Sequence, residues 1–319
     1  MKISLYPPLY IHEIGKRDNQ EDALSQWDNR LFVLCDGMGG HEKGEVASQT
    51  TCQSIVRWFE ENIKDSSFSD DQLCEAIEYA YLQLDQYADG NPKQMGTTLT
   101  LIYIGNNGVT AAQMGDSRIY HIRPNSSPKL GEAKRGLMSG LLYQSRDHSL
   151  VFDLFQAGEI TYDEMLNYPQ KNIVTRAMTP GIVNRMQPDI IHITDIKSGD
   201  WFYLCSDGML EQMSNDELLT LLSSEATDEE KRRQLIEATI NNHDNHSAWL
   251  IHVESVVKEE GDDQLVNEEP TSHCNAINII RQREKDAGEE DVVIVEKGKK
   301  AKSLIERMKN VVDIIMNKR

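Results

Sequence analysis

Several acidic residues in this chain sit where strand-like apolar runs begin or end. Leu31-Phe32-Val33-Leu34-Cys35 delivers Asp36 into Gly37-Met38-Gly39-Gly40, and Trp201-Phe202-Tyr203-Leu204-Cys205 delivers Asp207 through Ser206 into Gly208. Asp116 lies between two such runs in Gln113-Met114-Gly115-Asp116-Ser117-Arg118, and Asp244 precedes the last run in His243-Asp244-Asn245. A further acidic pair, Glu21-Asp22, follows Arg17-Asp18-Asn19-Gln20. Glycines beside such residues let a carbonyl or amide approach a ligand with no side chain in the way. Carboxylates gathered from separate strand ends repel one another and persist as a cluster when cations neutralise them. An all-oxygen donor set suits hard ions such as Mg²⁺ and Mn²⁺. Two such ions about 4 Å apart polarise a phosphate and lower the pKa of a bridging water, giving hydrolysis without a covalent enzyme intermediate. Any one Asp-Gly after a strand is more often a turn than a ligand; the repetition carries the reading.

Periodicity supplies the elements that must hold these residues. Leu31–Cys35, Thr98–Ile104, Val109–Met114, Ile119–Ile122, Trp201–Cys205 and Ala248–Val253 read as strands. Gly44–Ile63 and Asp71–Ala88 read as long amphipathic helices, and Asp228–Ile240 as another. Ser214, with Glu217 three residues on, marks a capping-box start for a helix over Ser214–Leu222. Gly105-Asn106-Asn107-Gly108 reads as a hairpin turn built on positive φ. Strands come in adjacent pairs and so do helices, which favours antiparallel sheets with helices stacked on them over a βαβ alternation.

The chain has 319 residues, 39% hydrophobic and 27% charged, with net charge −19 and a pI near 4.9. These values suit a globular protein with a sizeable core. Such acidity argues against non-specific grip on nucleic acid, which needs basic patches. No run approaches the length of a membrane span, and the N-terminus has no signal-like apolar stretch. The five cysteines, Cys35, Cys52, Cys74, Cys205 and Cys274, show no close pairing and are expected to be reduced thiols in a cytoplasmic protein. A charge run at Lys258-Glu259-Glu260-Gly261-Asp262-Asp263 separates a body, residues 1–254, from a linker and tail, residues 255–319. The tail holds 12 Lys or Arg and 14 Asp or Glu, which leaves −17 on the body. Residues 301–319 form an amphipathic helical pattern with a basic polar face, suited to docking on the chain's own domain, on a second copy, or on a partner or membrane surface.

In order along the chain, Arg17…Glu21-Asp22, Asp36-Gly37-Met38-Gly39-Gly40-His41, Gly96-Thr97-Thr98, Gly115-Asp116-Ser117-Arg118, Asp147-His148-Ser149, Ser206-Asp207-Gly208 and Asp244-Asn245 resemble the motifs of the metal-dependent serine/threonine protein phosphatases (PPM, or type 2C). The Asp-Gly-Met-Gly-Gly-His form looks like the bacterial branch. The resemblance spans roughly residues 10–253 and implies an α+β fold, a four-layer αββα sandwich of two antiparallel sheets flanked by helices, here followed by a C-terminal helical tail.

The resemblance also implies roles. Asp36 would bridge two Mn²⁺ or Mg²⁺ ions, and the Gly37 carbonyl would bind one of them. Asp207 and Asp244 would complete the other. Glu21 and Asp22 match an acidic pair near the metals, and Arg17 matches the arginine that grips the substrate phosphate. Asp116, with Glu211 one helical turn after Asp207, matches ligands of a third ion. Residues 150–180 resemble the family's flap, through Gln156-Ala157-Gly158-Glu159-Ile160-Thr161 and Asn172-Ile173-Val174-Thr175-Arg176-Ala177-Met178. The implied reaction is hydrolysis of phosphoserine and phosphothreonine in a protein made by an opposing serine/threonine kinase. The rival is a non-catalytic scaffold that keeps the fold and recruits partners. Met38 stands where eukaryotic members carry a histidine proposed as general acid, residues 124–144 look like an exposed insertion, and Asn241-Asn242-His243 and the tail are unusual for the family.

Other chemistries fail on spacing. Cys274 has Ile280, not arginine, six positions on, so a cysteine phosphatase loop is excluded. Gly37-Met38-Gly39 is followed by Glu42 where a dinucleotide loop needs its third glycine. The Asp85…Asp89-Gly90 stretch has Tyr87 at a calcium-ligand position. His41 and His148 read as loop scaffolding.

Overall fold

A computed structural model describes residues 1–39, 43–64, 68–88, 95–124, 126, 140–161, 164–165, 168–169 and 173–257. Strands β1 (Lys2–Leu5), β2 (Leu9–Glu13), β3 (Asp22–Trp27) and β4 (Leu31–Gly39) come first. Helices α1 (Lys43–Asn62) and α2 (Asp70–Leu84) follow, α2 ending in a 3₁₀ turn over Asp85–Tyr87. Strands β5 (Met95–Thr97), β6 (Leu99–Gly105), β7 (Gly108–Met114), β8 (Arg118–Ile122) and β9 (Leu141–Gln144) lead to the short α3 (Leu150–Gln156). Then come β10 (Asp189–Ile193), β11 (Trp201–Cys205), a 3₁₀ turn over Asp207–Leu210, α4 (Asn215–Leu222), α5 (Asp228–Thr239) and β12 (His246–Val257).

The strands form two antiparallel sheets. One runs β1-β12-β11-β8-β9, with β2 also pairing β12; the other runs β10-β7-β6-β4-β3, with β5 on the end of β4. Alternation along the strands explains the layering. Phe32 and Leu34 of β4 and Ile102 of β6 meet Phe202 and Leu204 of β11 and Trp249 and Ile251 of β12 in a core between the sheets. The intervening Leu31, Val33, Leu101 and Tyr103 face Ile55 and Phe59 of α1 and Leu73 and Ile77 of α2. On the opposite side, Trp201, Tyr203 and Leu250 pack on Leu218 and Leu222 of α4 and Leu235 of α5. Central strands are therefore buried on both faces, which is why Leu31–Cys35 and Trp201–Cys205 are apolar throughout. The arrangement is the expected four-layer αββα sandwich.

Several local expectations change. The run read as Thr98–Ile104 forms β6, with the separate short strand β5 just before it, and the helix expected to reach Ala88 stops at Leu84. The hairpin at Asn106-Asn107 is present with Gly105 paired to Gly108, but the positive φ falls on Gly108, at 123°. A Cβ there would stand 2.3 Å from the Ile193 carbonyl oxygen. Residues 141–144, expected in an exposed insertion, form edge strand β9 against β8. The expected capping box is made: Ser214 Oγ accepts from the Glu217 amide and Glu217 Oε2 accepts from the Ser214 amide. Cys35, Cys52 and Cys205 are free and buried. Strand β12 runs from His246 to Val257, longer at both ends than the expected Ala248–Val253. The tail pattern at 301–319 lies outside the described residues. Among the described residues no helix is long and apolar enough to cross a membrane.

Candidate metal centre

The end of β4 is clipped in place before its side chain does anything. The Asp36 amide donates to Thr98 Oγ1 at 2.9 Å, and the Asp36 carbonyl accepts from the Thr98 amide at 2.8 Å and from Thr97 Oγ1 at 2.9 Å. Thr98 Oγ1 also meets Ser117 Oγ at 2.8 Å, which ties the turn after Asp116 to the same point. Gly115, at φ 107°, packs against Thr98, where a Cβ would lie 2.5 Å from Thr98 Cγ2. Gly37 has still less room: a Cβ would stand 2.1 Å from the Gly44 carbonyl oxygen at the start of α1. Its amide donates to the Glu21 carbonyl at 3.0 Å.

Strand register sets the acidic pair beside this point, since Asp22 on β3 is the direct partner of Asp36 on β4. Asp22 is 2% exposed, and its Oδ2 accepts from Ser206 Oγ at 2.8 Å. Ser206 Oγ accepts in turn from the Ser247 amide at 3.0 Å. Asp22 thus joins one sheet to β11 and β12 of the other. Asp207 opens the 3₁₀ turn after β11. Glu211, at the end of that turn, accepts through Oε2 from the His243 amide at 2.6 Å and the Asp244 amide at 3.3 Å, so it holds the loop that presents Asp244. Asp244 Oδ2 accepts from an Arg17 guanidinium nitrogen at 2.8 Å. Arg17 remains 56% exposed on its side chain, at the open side of the cluster.

The electrostatics join these residues into one neighbourhood. Asp36 is held well above the usual carboxylate range, first by burial and then by the charges of Asp22, Asp207, Asp116 and Asp244. Burial, followed by Asp207 and Asp244, pushes Asp22 up to about 7. Burial, followed by Asp207 and Asp147, pushes Asp116 up to about 7. Asp207 rises to about 6 through burial and then Asp244 and Asp147. Glu21 is also raised, mainly by burial. Among the described residues no three of these side chains are closed around one point as a ligand set. The donor chemistry nonetheless fits hard divalent cations: oxygen donors only, with Asp22, Asp36, Asp116 and Asp207 driven toward protonation by burial and neighbouring carboxylates, so that added positive charge relieves them.

Residues around the cluster behave as supports. His148 is 2% exposed; its Nδ1 accepts from the Gly115 amide at 3.2 Å and its Nε2 meets Asp189 Oδ2 at 3.0 Å, in keeping with a scaffolding role. His41 lies outside the described residues. Asp147 takes two bonds from the Arg118 guanidinium, both 2.7 Å, which fixes the start of β8 beneath Asp116. Sequence reading did not anticipate Ser206, Ser247, Thr98 and Ser117 as the bonds linking the acidic turns. The flap-like stretch is attached through antiparallel bridges of Val174 to Ser149 and of Met178 to Thr97.

Comparison with known proteins agrees with the fold. The family model described as protein phosphatase 2C matches residues 12–250. Protein phosphatase PhpP of Streptococcus pneumoniae is 32% identical over 243 residues, 74% of this chain and 90% of that protein. The solved structure of the Streptococcus agalactiae serine/threonine phosphatase superposes with a TM-score of 0.66 at 31% identity, covering 77% of this chain and 99% of the other. The catalytic domain of the serine/threonine protein phosphatase PstP, solved in complex with two manganese ions, superposes at 0.63 with 26% identity, covering 79% and 99%. Motif order, sheet topology and similarity along three quarters of its length together make this chain a member of the protein phosphatase 2C family.

Proposed function

We propose that this protein hydrolyses phosphoserine and phosphothreonine in protein substrates phosphorylated by an opposing serine/threonine kinase. The observation that carries the reading is the convergence of Asp22, Asp36, Asp116, Asp207 and Asp244 in one electrostatic neighbourhood with Arg17 at its open side. Asp36, the Gly37 carbonyl, Asp207 and Asp244 would hold two Mn²⁺ or Mg²⁺ ions, with Glu21 and Asp22 beside them and Asp116 and Glu211 toward a third. When bound, such ions supply Lewis acidity and lower the pKa of a water for attack on phosphorus.

The chain's own residues supply the rest. Arg17 offers a planar fork to two phosphate oxygens, and its partial exposure lets a protein-borne phosphate reach it. Asp244 orients that guanidinium through the 2.8 Å bond. Asp22, braced by Ser206, fixes the strand register behind Asp36. Glu211 keeps the Asp244 loop closed through two backbone amides.

The test is hydrolysis of a phosphothreonine peptide with Mn²⁺, with chelator, and in Asp36→Asn. Turnover that needs the ion and falls to background in the variant supports the reading. Metal binding by calorimetry with no turnover would replace it with the scaffold function.

A further inference from the structure

The cluster is assembled from two arms that are far apart in sequence. One is the 14–21 loop, which carries Arg17 and Glu21. The other is the 241–245 loop, which carries Asp244. The side chain of Asn245 is 95% buried between them. Its Nδ2 donates to the Ile14 carbonyl at 2.8 Å and to the Asn19 carbonyl at 3.0 Å. Its Oδ1 accepts from the Glu21 amide at 2.8 Å. The amide therefore uses both donors and its acceptor on three backbone groups that bracket Arg17 on either side.

Two close approaches reinforce the contact. Gly15, at φ 63°, lies so near the 244 backbone that a Cβ would stand 2.2 Å from the Asp244 carbonyl oxygen. The carbonyl of Asn245 itself faces Gly208, where a Cβ would come to 2.0 Å, so the same residue also supports the turn after Asp207. Lys16 Nζ on the Asn241 carbonyl, at 3.0 Å, and Arg17 on Asp244, at 2.8 Å, also join the two loops, each through one contact where Asn245 makes three.

We propose that Asn245 is the positioning residue for the phosphate-binding arm: it sets where Arg17 stands relative to Asp244 and so determines affinity for the phosphate group. The inference rests on the phosphatase reading for the identity of the ligand. It does not require Asn245 to touch the substrate or a metal. Loss of the side-chain amide would remove a donor from the Ile14 and Asn19 carbonyls and the acceptor of the Glu21 amide and allow the 14–21 loop to drift, and catalytic geometry is sensitive to displacements of about 1 Å.

The experiment uses the full-length chain loaded with Mn²⁺ and compares wild type, Asn245→Ala, Arg17→Ala and the double variant. Inorganic phosphate binding is read by calorimetry, and KM and kcat on a phosphothreonine peptide are read alongside. Asn245→Ala should weaken phosphate binding and raise KM by about tenfold, with a smaller change in kcat. In the Arg17→Ala background the same change should add little, because its effect passes through Arg17. Asn245→Ser, whose hydroxyl stops one bond short of the Ile14 and Asn19 carbonyls but leaves a polar group that a water can bridge to them, should weaken phosphate binding as Asn245→Ala does, and it carries the test if the alanine variant does not fold. Unchanged phosphate affinity in a folded Asn245 variant, or full additivity with Arg17→Ala, would overturn the proposal while leaving wild-type turnover intact. A wild type that binds phosphate without turnover would instead sink the phosphatase reading, and the binding series would still decide the role of Asn245.

Discussion

Individual residues in the centre divide into those that meet ligands and those that hold others still. Under the proposed function Arg17 is of the first kind. A charge-assisted bond to phosphate is worth roughly 1.5–3 kcal/mol, so Arg17→Ala should raise KM for a phosphopeptide about 10- to 100-fold, read by steady-state kinetics. An unchanged KM would remove Arg17 from the phosphate site. Asp22 is of the second kind, yet it carries an electrostatic penalty, since burial pushes it up to about 7. Asp22→Asn keeps an oxygen for the Ser206 hydroxyl and deletes a buried charge. Without metal, at pH 8, the variant should melt several degrees higher than wild type. A lower melting temperature would mean that the brace depends on the charge itself. Gly208 shows the opposite constraint. A Cβ 2.0 Å from a backbone oxygen cannot be relieved by a side-chain rotation, so Gly208→Ala should destabilise by about 1–3 kcal/mol in denaturant titration.

At the scale of elements, the β7–β8 turn and the flap-like segment share one anchor. His148 accepts from Gly115 on one side and faces Asp189 at the start of β10 on the other. Arg176 donates to the same aspartate at 2.9 Å, and the Thr175 amide donates to the His148 carbonyl at 2.8 Å. The His148 bond, with the Arg176 guanidinium beside it, pulls Asp189 down to about 2. A carboxylate depressed in the folded state stabilises it above the unfolded pKa, and that contribution disappears as pH falls from about 4 toward 2. Asp189→Ala should release the anchor, which hydrogen exchange can follow. The amides of Gly115, Thr175 and Met178 should exchange faster while those of β11 stay protected. Equal protection throughout would show that the segment is held by its strand bridges alone.

For the whole molecule, the acidic balance matters most where the carboxylates are buried. Asp22 and Asp116 near 7 and Asp207 near 6 bind protons more tightly in the folded than in the unfolded chain. Stability of the metal-free protein should therefore rise as pH is lowered from about 8 toward 5.5, the reverse of the Asp189 effect, which acts only in stronger acid. Mn²⁺ favours the ionised carboxylates, so its stabilisation should be larger at pH 8 than at pH 6. Melting curves with Mn²⁺ and with chelator at the two pH values test both statements. A metal-free melting temperature that falls between pH 8 and 6 would contradict the clustering of these carboxylates.

The central strands and most helices were legible because each is a local pattern. Leu31–Cys35 and Trp201–Cys205 are apolar on both faces because helices cover one side and the second sheet the other. Ser214 and Glu217 cap α4 within a single turn. The acidic residues at the strand ends were legible for the same reason, as was their order along the chain. The edge strands β1, β2, β3, β9 and β10 were not, since one face or one edge meets solvent and polar residues interrupt the alternation. The Asp28-Asn29 pair, with φ of 53° and 50°, was the overlooked turn signal between β3 and β4. What the sequence determined by itself is the set of acidic turns and the chemistry they suit. Only the tertiary structure decided how those turns support one another: Ser206 on Asp22, Arg17 on Asp244 and Asn245 on the 14–21 loop join residues from opposite ends of the body. Contacts between side chains so far apart in sequence leave no periodic trace, because they arise from the stacking of two sheets and not from any one strand or helix.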